Sequence, residues 1–459
     1  METRRFDSDY YQTKYLHIDN LIARKPTLFK SFDDLNLNID ASAFYPSLEP
    51  HYGNGDFPFL RVKDVDTHID YENCVRIPRE IVYSSAFKTL RVIQEGDIII
   101  TKGGSIARVG LIEQNTAVTR DLIFINSSSL PEIEYKFLFI YLLSNISYNQ
   151  LVRSSSMTAQ PHLTITLVRN LSLFSPSSAF KEQVVDIYNT SKDLIDKSNN
   201  IYTQAEQLLL QELNLANFQP SQEPVNVKSF SESFGSSGRL DAEYYQSKFD
   251  QLEQAISSLD KYETIGNISE LISRGKQPVY LESEQNTLPV LNSKHIRENK
   301  IILDNRRSAS IDECNLFIEK DDVLINGTGV GTIGRTAPYL YSTPSIPDNH
   351  VTIIRSKSLS SVYISVYLNS IAGQLQVEKY FKGSSGQIEL YPDDISNFLI
   401  WIAPDEVQMK IENLIKSAFD LEKQSEHLLE VAKQAVEMAI EQDEKTALGW
   451  IKEQIKDRG

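Results

Sequence analysis

Apolar residues recur along residues 176–216 at alternating steps of three and four, a spacing that places them on one side of a helix. The seam of this side runs through Val184, Ile187, Ser191, Leu194, Ser198, Ile201, Ala205, Leu208, Glu212 and Leu215. A second stripe one position later, which includes Tyr188 and Leu209, makes the apolar face too wide for a helix that stands alone in water. Pro176 and the serines after it are start signals. The pattern therefore predicts a long helix that packs against another helix.

Residues 404–442 carry the same spacing and supply the predicted partner. Their seam runs through Ile411, Leu414, Ala418, Leu421, Ser425, Leu428, Ala432, Ala435 and Ala439. Two helices that are separated in sequence by a whole domain pack most simply as an antiparallel coiled coil. At about 1.5 Å per residue, each helix would be roughly 60 Å long. The alternative is a pair of unrelated surface helices.

The same series of segments occurs twice in the chain. RFDSDYYQTKY begins at Arg5 and RLDAEYYQSKF begins at Arg239. Further on, EGDIIIT pairs with KDDVLIN, which aligns Asp97 with Asp322, and a proline opens each long helix. The sequence therefore predicts two related globular domains, over residues 1–175 and 239–403, each followed by a long helix.

Within each predicted domain, short β-branched segments alternate with turn residues and precede a late helix. The predicted strands are IPREI, LRVIQ, GDIIIT, DVLIN and NHVTIIR, and helical periodicity returns over residues 131–153 and 360–380. This order predicts a mixed α+β fold. Residues 217–238 are rich in Ser, Pro and Gly and are expected to form a linker. The tail, residues 443–459, has no counterpart in the first half and is expected to cap the fold or contact another subunit.

Composition narrows the class of protein. Cys74 and Cys314 fall in different halves, which predicts a reduced, cytoplasmic protein without a disulfide framework. No apolar run is long enough for a bilayer span, and the first residues lack the apolar core of a signal peptide. The formal net charge of −16 argues against a protein that coats nucleic acid nonspecifically. The imbalance is uneven, since residues 1–175 hold 18 basic and 20 acidic side chains, whereas residues 404–459 hold 8 and 13. A local basic face on either globular domain therefore remains open.

The duplicated order of motifs resembles the specificity subunit of type I restriction-modification systems. That order is R-x-D-x-[DE]-Y-Y, a Gly-Asp-Ile-Ile strand with a glycine turn, a Ser/Gly-Gln loop, and a long helix opened by proline. The second copy departs at Asp321, which stands where the first copy has Gly96, and at Asn292, which stands in place of Arg61. The resemblance extends over nearly the whole chain, and these departures suggest that the two copies recognise different sequences.

The resemblance implies a subunit without an active site. Its two globular parts would be target recognition domains, each for one half of a bipartite target in double-stranded DNA, and its long helices would be the spacer. Two methyltransferase subunits and the restriction or motor subunits would be its partners. S-adenosylmethionine and ATP would then belong to those partners rather than to this chain. By the geometry of other paired DNA readers, the half-sites would lie about one helical turn, roughly 34 Å, apart.

Candidate DNA contacts follow from chemistry. Phosphates attract cations and backbone N–H donors, and base edges are distinguished by Arg, Asn, Gln, Lys and hydroxyl side chains. Two loop types recur at the same place in each copy and offer that mixture. In the first copy the candidates are Lys102, Ser105, Arg108, Arg153, Ser154, Ser156 and Gln160; in the second they are Thr328, Thr332, Arg335, Lys382, Ser384, Ser385 and Gln387. Weaker candidates are Arg61, Lys63, Asn292, Lys294 and Arg297. The alternative is that these loops are ordinary solvated turns.

The sequence gives less support to nucleotide binding, catalysis or metal binding. Gly329, Gly331 and Gly334 have the spacing of a dinucleotide-binding fingerprint, but the following residues do not predict the helix which that fingerprint needs. The PDD at Pro392 and the PDE at Pro404 lack the pattern of a nuclease site, and neither the loop of an amino-methyltransferase nor a metal-ligand spacing occurs. PDD is expected to end the loop before a strand. The main alternative function is a protein scaffold or adaptor, which the acidic net charge favours and which would bind no DNA.

Overall fold

The chain divides into two compact units whose boundaries fall inside its two long helices. A computed structural model describes residues 8–72, 74–154, 162–281, 285–303, 306–329, 331–383 and 387–456. Unit 1 comprises Met1–Asp193 and Gln424–Gly459, and unit 2 comprises Leu194–Lys423. Each long helix therefore contributes one part to each unit. The fold is mixed α+β, as predicted.

The elements up to the end of the first long helix are short strands and helices. The strands are β1 (Phe29–Lys30), β2 (Asn38–Ala41), β3 (Phe57–Leu60), β4 (Val75–Ile77), β5 (Arg91–Ile93), β6 (Ile98–Thr101), β7 (Val109–Leu111), β8 (Thr116–Val118), β9 (Leu122–Asn126) and β10 (Leu173–Phe174). The helices are α1 (Thr13–Arg24), α2 (Arg79–Val82), α3 (Glu132–Leu143), α4 (Asn145–Ser154), α5 (Ile165–Arg169) and the long α6 (Ser178–Glu212).

The second half repeats much of this order. Its strands are β11 (Tyr262–Thr264), β12 (Ser269–Arg274), β13 (Tyr280–Leu281), β14 (Thr287–Leu291), β15 (Ile296–Arg297), β16 (Lys300–Ile301), β17 (Ser308–Ser310), β18 (Val323–Asn326), β19 (Thr336–Pro338), β20 (Ile346–Pro347), β21 (Val351–Ser356) and β22 (Leu399–Trp401). Its helices are α7 (Phe234–Ser237), α8 (Ser247–Ser257), α9 (Ile265–Ile268), α10 (Ser361–Asn369), α11 (Ile371–Tyr380), α12 (Pro392–Ser396), the long α13 (Asp405–Glu441) and α14 (Glu444–Lys456).

The first sheets of the two units have the same strand order, and the second sheets share three strands, with the fourth strand at opposite edges. Unit 1 has an antiparallel sheet β2-β9-β6-β7 and a second sheet β4-β3-β8-β5 in which β3 and β8 are parallel. Unit 2 has an antiparallel sheet β12-β21-β18-β19 and a second sheet β13-β17-β14-β20 in which β14 and β20 are parallel. In addition, β1 pairs with β10 and β11 pairs with β22. The repeated sequence therefore folds into repeated architecture.

Burial on both faces explains why the central strands are apolar throughout. Ile98 and Ile100 of β6 face the main core of unit 1, whereas Ile99 faces a second apolar cluster on the other side of the sheet. In β18, Val323 and Ile325 face the main core of unit 2 and Leu324 faces the opposite cluster. Successive side chains of a strand point to opposite faces, so a continuous apolar run requires cover on both.

A helix that is apolar on all sides lies in the core of each unit. Residues 137–142 of α3 and 361–368 of α10 are all buried, as expected for helices without a polar face. Ser144 ends α3 and its hydroxyl donates to the Tyr141 carbonyl at 2.6 Å; Ser370 ends α10 and donates to the Tyr367 carbonyl at 2.7 Å. The break between each buried helix and the next one is thus built in the same way twice.

The two long helices pack against each other within each unit. In unit 1 the Ser191 hydroxyl donates to the Ser425 carbonyl at 2.8 Å, and the Ser177 amide donates to Glu444 at 3.0 Å, so the start of α6 lies near the end of α13. In unit 2 the Ser198 hydroxyl donates to the Ala418 carbonyl at 2.9 Å. Small serine and alanine side chains allow the helices to approach closely at these points.

The predicted seam of the first long helix is wrong at Leu208 and Glu212, whereas Leu215 is buried as predicted, just beyond the end of α6. The structure buries Ala205, Leu209 and Leu213, whereas Glu212 is exposed and Leu208 is only half-buried. Because an α-helix has 3.6 residues per turn, a straight segment drifts away from a strict repeat of 3.5. The buried side therefore moves to the neighbouring stripe, with steps of four.

Two further local predictions need correction. Only Ile77 of the segment IPREI lies in a strand, because Pro78 cannot donate to a sheet and instead begins helix α2, where its carbonyl accepts from the Ile81 amide at 3.1 Å. The PDD segment does not simply end a loop. Pro392 opens helix α12, in which the Asp394 carboxylate accepts from the Tyr391 amide at 3.3 Å.

The tail folds onto unit 1. Helix α14 places Ala447 and Ile451 in the main core of that unit. The Lys25 ammonium group donates to the Ile440 carbonyl at 2.8 Å, next to the end of α13. Across the ranges given above, no helix has the combination of length and apolarity that crossing a membrane requires.

Candidate nucleic-acid interface

The first candidate loop of unit 1 is a tight hairpin between β6 and β7. The Thr101 amide donates to the Arg108 carbonyl and the Ala107 amide donates to the Thr101 carbonyl, each at 2.9 Å. The Thr101 hydroxyl donates to the Ser105 carbonyl. Ala107 has a φ of 62°, a left-handed conformation that closes the turn. The loop thus holds Lys102, Ser105 and Arg108 on a fixed backbone.

The hairpin between β18 and β19 is the counterpart in unit 2. Its Asn326 amide donates to the Arg335 carbonyl and its Gly334 amide donates to the Asn326 carbonyl, again at 2.9 Å. Gly334 has a φ of 81°, and a Cβ there would lie 2.8 Å from the Val377 methyl groups, so both backbone conformation and space require glycine. Since strand β19 follows at once, these glycines form a hairpin and lack the helix of a dinucleotide fingerprint.

The second candidate loop ends beside the first in both units. The Leu163 amide donates to the Lys102 carbonyl at 2.9 Å, and the Leu390 amide donates to the Gly327 carbonyl at 2.8 Å. In unit 2, Glu389 also forms β-bridges with Thr328 and with Lys382. The structure therefore brings together two loop types that are about 60 residues apart in sequence.

Several predicted residues of the second loop lie beyond what the structure describes. Ser156, Gln160, Ser384 and Ser385 fall outside the described ranges. The backbone of Ser154 ends helix α4, and Gln387 is exposed.

A third segment completes each site and was missed by sequence reasoning. It is the short connection into β9 or β21. The Asp121 carbonyl accepts from the Lys102 amide at 2.9 Å, and the His350 carbonyl accepts from the Gly327 amide at 2.8 Å. Arg120 of this connection lies 5.6 Å from the ring centre of Tyr45, which is 73% exposed. No local sequence pattern marks these residues, because strand pairing brings them to the site.

Three cations of the loops have a weak partner or none. Arg108 lies 3.4 Å from Asp66, with side chains 42% and 62% exposed, and the Lys102 ammonium group lies 3.9 Å from Asp121. The Arg335 guanidinium makes no hydrogen bond or ion pair with any residue that the structure describes. Lys382 is held more firmly, at 2.8 Å from Asp394. Exposed ion pairs contribute little stability, so a phosphate could replace these carboxylates at low cost.

Thr328 and Thr332 have partners within their own unit. The Thr328 hydroxyl lies 2.9 Å from Nδ1 of His350, and the Thr332 hydroxyl donates to the Thr328 carbonyl at 3.1 Å. These bonds fix the hydroxyl of Thr328 beside an imidazole, where the pair can present both a donor and an acceptor.

Arg153 has a structural role in unit 1. Its guanidinium lies 4.1 Å from the ring centre of Tyr10 and 2.7 Å from Asp19, and its side chain is only 10% exposed. In unit 2, Lys379 occupies the same setting, 4.9 Å from the Tyr244 ring and paired with Glu253. The repeated tyrosine motif is therefore held by a cation from the end of the helical pair in each unit.

The weaker candidates Arg61 and Asn292 cap equivalent short turns. The Arg61 amide donates to Asp64 at 3.0 Å, and its guanidinium pairs with the same carboxylate at 2.8 Å. The Asn292 amide donates to Nδ1 of His295 at 3.0 Å. Arg297 donates to the Lys294 carbonyl at 2.6 Å. Lys63 and Lys294 also have interactions within the fold.

The part of the chain that the structure describes contains no candidate metal-binding site. There, no three His, Cys, Asp or Glu side chains are grouped so that they could hold a metal ion.

Comparison with known proteins gives one family and several similar structures. Residues 37–207 match the family model of the type I restriction modification DNA specificity domain. The chain is similar to the type I restriction-modification S subunit from M. genitalium, with 12% identity, a TM-score of 0.36, and coverage of 90% of this chain and 94% of that one. It is also similar to the HsdS subunit from Thermoanaerobacter tengcongensis, with 14% identity, a TM-score of 0.28, and coverage of 89% and 97%. No curated protein matches this sequence.

Proposed function

Residues 37–207 belong to the type I restriction modification DNA specificity domain family, and we propose that the whole chain is the sequence-specific DNA-binding subunit of such a system. It directs methyltransferase and restriction subunits to a bipartite target in double-stranded DNA. It has no active site of its own, and S-adenosylmethionine and ATP bind to the partner subunits. The target recognition domains are residues 1–175 and 239–403, and each reads one half-site.

This proposal rests on an arrangement of three segments that is present in both units. In each unit a hairpin, the end of a second loop and a short interstrand connection are joined by backbone hydrogen bonds at Lys102 or Gly327. Each site therefore gathers side chains suited to phosphates and base edges on a fixed backbone. The family match covers only the first copy, and the common sheet order supports extending the assignment to the second.

The long helices have the role of spacer in this proposal. The predicted spacer segments are residues 176–216 and 404–442, and the helices within them are α6 and α13. Each helix contributes residues to both units. A coiled coil has few internal degrees of freedom compared with a flexible linker, so we expect the gap between half-sites to be constant.

A protein scaffold is the second candidate, and the net charge of −16 favours it. A uniformly acidic surface repels DNA. At the proposed sites, however, Arg108 has a single exposed carboxylate, Asp66, at 3.4 Å, and the Arg335 guanidinium has no partner among the described residues. Both functions predict a folded protein that binds other subunits, and only the first predicts selective DNA binding.

The test is selection of the full chain on a pool of random DNA duplexes, followed by affinity measurements on the enriched sequence at several salt concentrations. If the chain reads DNA, we expect enrichment of a split motif. We also expect log affinity to fall linearly with log salt concentration, with a slope of about −0.9 for each phosphate contact, because each contact releases counterions. A folded chain that enriches no sequence and shows no salt dependence would support the scaffold instead.

A further inference from the structure

A charged cluster beside the site of unit 2 has no counterpart among the residues of unit 1 that the structure describes. It consists of Arg274, which ends β12, and of Glu389 and Tyr391, which flank the leucine whose amide donates to Gly327. None of the three was a candidate on sequence grounds. Strand pairing and the bridge between Thr328 and Glu389 bring them to the edge where the loops meet.

The guanidinium of Arg274 is fixed at one end and only loosely paired at the other. Its Nε donates to the Asn349 carbonyl at 2.6 Å, within the connection that also carries His350. One terminal nitrogen lies 3.5 Å from the Glu389 carboxylate, longer than the 2.7–2.9 Å typical of a strong charged hydrogen bond. The arginine side chain is 18% exposed and the carboxylate is 41% exposed. Arg274 is therefore oriented in advance, while part of its donor edge remains available.

Tyr391 orients the same pair. The Arg274 guanidinium lies 5.7 Å from its ring centre, and the Lys382 ammonium group lies 5.6 Å from it. The Tyr391 side chain, together with the nearby Arg274, lowers the pKa of the Glu389 carboxyl group. The carboxylate is thus held in its ionised form, next to the cation it restrains.

Backbone registers identify the equivalent residues of unit 1. Arg274 pairs with Thr352 of β21 in the same register as Ala41 pairs with Ile123 of β9. In each case the amide of the following residue donates to the carbonyl of the first residue of that strand, Val351 or Leu122. On either side of Leu163 stand His162 and Thr164, in place of Glu389 and Tyr391. Thr164 begins helix α5 as Tyr391 begins helix α12.

The architecture that the two units share does not require Arg274, Glu389 and Tyr391. Unit 1 forms the same sheet, the same backbone bonds and the same helix start with alanine, histidine and threonine at these positions. The cluster therefore serves something that the two units do not share. Under the proposed function, what they do not share is the DNA sequence that each reads.

We propose that Arg274 recognises a guanine in the half-site read by unit 2, and that Glu389 and Tyr391 are positioning residues for its guanidinium. This inference rests on the proposed function. Guanine presents two acceptors, N7 and O6, in the major groove, and a planar guanidinium contacts both at once. The anchoring of Nε through Asn349 leaves the terminal nitrogens for this contact.

The experiment is selection on random duplexes with the full chain and with the variants Arg274→Ala, Arg274→Lys and Tyr391→Thr. Alanine and threonine are the residues that unit 1 tolerates at the same register. The matched control is Lys357→Ala, which removes an exposed cation beyond the opposite end of β21. Circular dichroism and thermal unfolding show whether each variant is folded.

Arg274→Ala should make one guanine position degenerate in one half-site, with a loss of affinity for the parent target of about 10- to 100-fold. The other half-site and the gap should not change. Arg274→Lys should keep the salt dependence but lose discrimination at that position, since a single ammonium cannot make the bidentate contact. Tyr391→Thr should weaken the same preference less strongly, and the control should leave it intact.

Two results would overturn the assignment. One is a folded Arg274→Ala variant whose selected motif equals that of the parent. The other is a uniform loss of affinity for all sequences with a reduced salt slope, which indicates a phosphate contact. In both results the parent chain still selects a split motif, so the proposed function survives. If the parent chain selects no motif at all, the proposed function fails first.

Discussion

Arg108 and Arg335 close the same hairpin in the two units. The carbonyl of each accepts from the last residue of the preceding strand, Thr101 or Asn326, at 2.9 Å. Their side chains differ in setting, because Arg108 has Asp66 at 3.4 Å and Arg335 has no partner in the described part of the chain. The two arginines therefore stand at equivalent backbone positions in different surroundings, as we expect if each unit contacts a different DNA sequence from the same position.

Replacing either arginine should therefore affect one half-site only. Arg335→Ala should weaken binding by about 10- to 100-fold and relax the half-site of unit 2, because a cation without a competing partner is lost. Arg108→Ala should relax the half-site of unit 1 and have a smaller effect, because DNA must first displace Asp66. The measurement is the affinity of each variant for duplexes altered in one half-site at a time.

Lys30→Ala and Lys357→Ala are the controls for this pair, since both remove exposed cations outside the loops. The proposal that each unit reads its own half-site is contradicted when one of the arginine variants weakens binding to both half-sites to the same extent.

The serine pair between the long helices should contribute to the stability of unit 1. The Ser191 and Ser425 hydroxyls each donate to the other residue's carbonyl, at 2.8 and 2.7 Å, and both side chains are buried. Ser191→Ala should lower the free energy of unfolding by about 1 kcal/mol through loss of this hydrogen bond. Ser191→Leu should cost about 1–3 kcal/mol, since the close approach leaves no room for a larger side chain. Urea unfolding measures both. Equal stability of the leucine variant and the parent would show that the helices are not in close contact there.

Tyr71 should make stability depend on alkaline pH. Burial raises the pKa of its hydroxyl group to about 12, and this hydroxyl accepts from the Glu113 amide at 3.1 Å. The folded state thus favours the neutral form, while an unfolded tyrosine ionises near its ordinary value of 10. The stabilisation is fully present below pH 10 and is lost as the pH rises from 10 to 12, by at most about 1.4 kcal/mol per pH unit.

Tyr71→Phe isolates this contribution. The variant should be slightly less stable near neutral pH and should lose less stability than the parent above pH 10. Urea midpoints measured across that range give the difference. Parallel curves for the two proteins would mean that Tyr71 does not carry the effect.

Shortening the long helices should change the gap between half-sites. Removal of residues 192–198 from α6 and 418–424 from α13 keeps the contact between Ser191 and Ser425 and removes one heptad from each helix. Seven residues correspond to about 10 Å of helix, which equals about three base pairs along DNA. The gap should shrink by up to that amount, and neither half-site should change. A gap that stays fixed in the folded deletion variant rules out the spacer role.

The sequence predicted the features that depend on periodicity and repetition. The heptad spacing identified both long helices, and the repeated motifs identified segments that form equivalent strands and hairpins. Even the exchange of Gly96 for Asp321 has a simple cause. Both residues have positive φ, 86° and 70°, in the turn before the equivalent strand, a conformation that Asp adopts more readily than most side chains. A one-dimensional alignment shows the exchange but not the conformation.

What the sequence could not supply depends on contacts between distant segments. Arg120, His350 and Arg274 reach the site through strand pairing, and their neighbours along the chain give no sign of it. The burial of Arg153 under Tyr10 was hidden for the same reason. Local composition identified the loops correctly as polar and glycine-rich, but tertiary packing decides which of their side chains remain available.

The most direct measurement is to coexpress this chain with the methyltransferase encoded beside it and to map modified bases in a plasmid pool that carries random sequence. The account predicts a split motif with a gap of constant length, which disappears when this chain is omitted. A complex that forms but modifies no defined motif, or a methyltransferase that modifies the same motif without this chain, would contradict it.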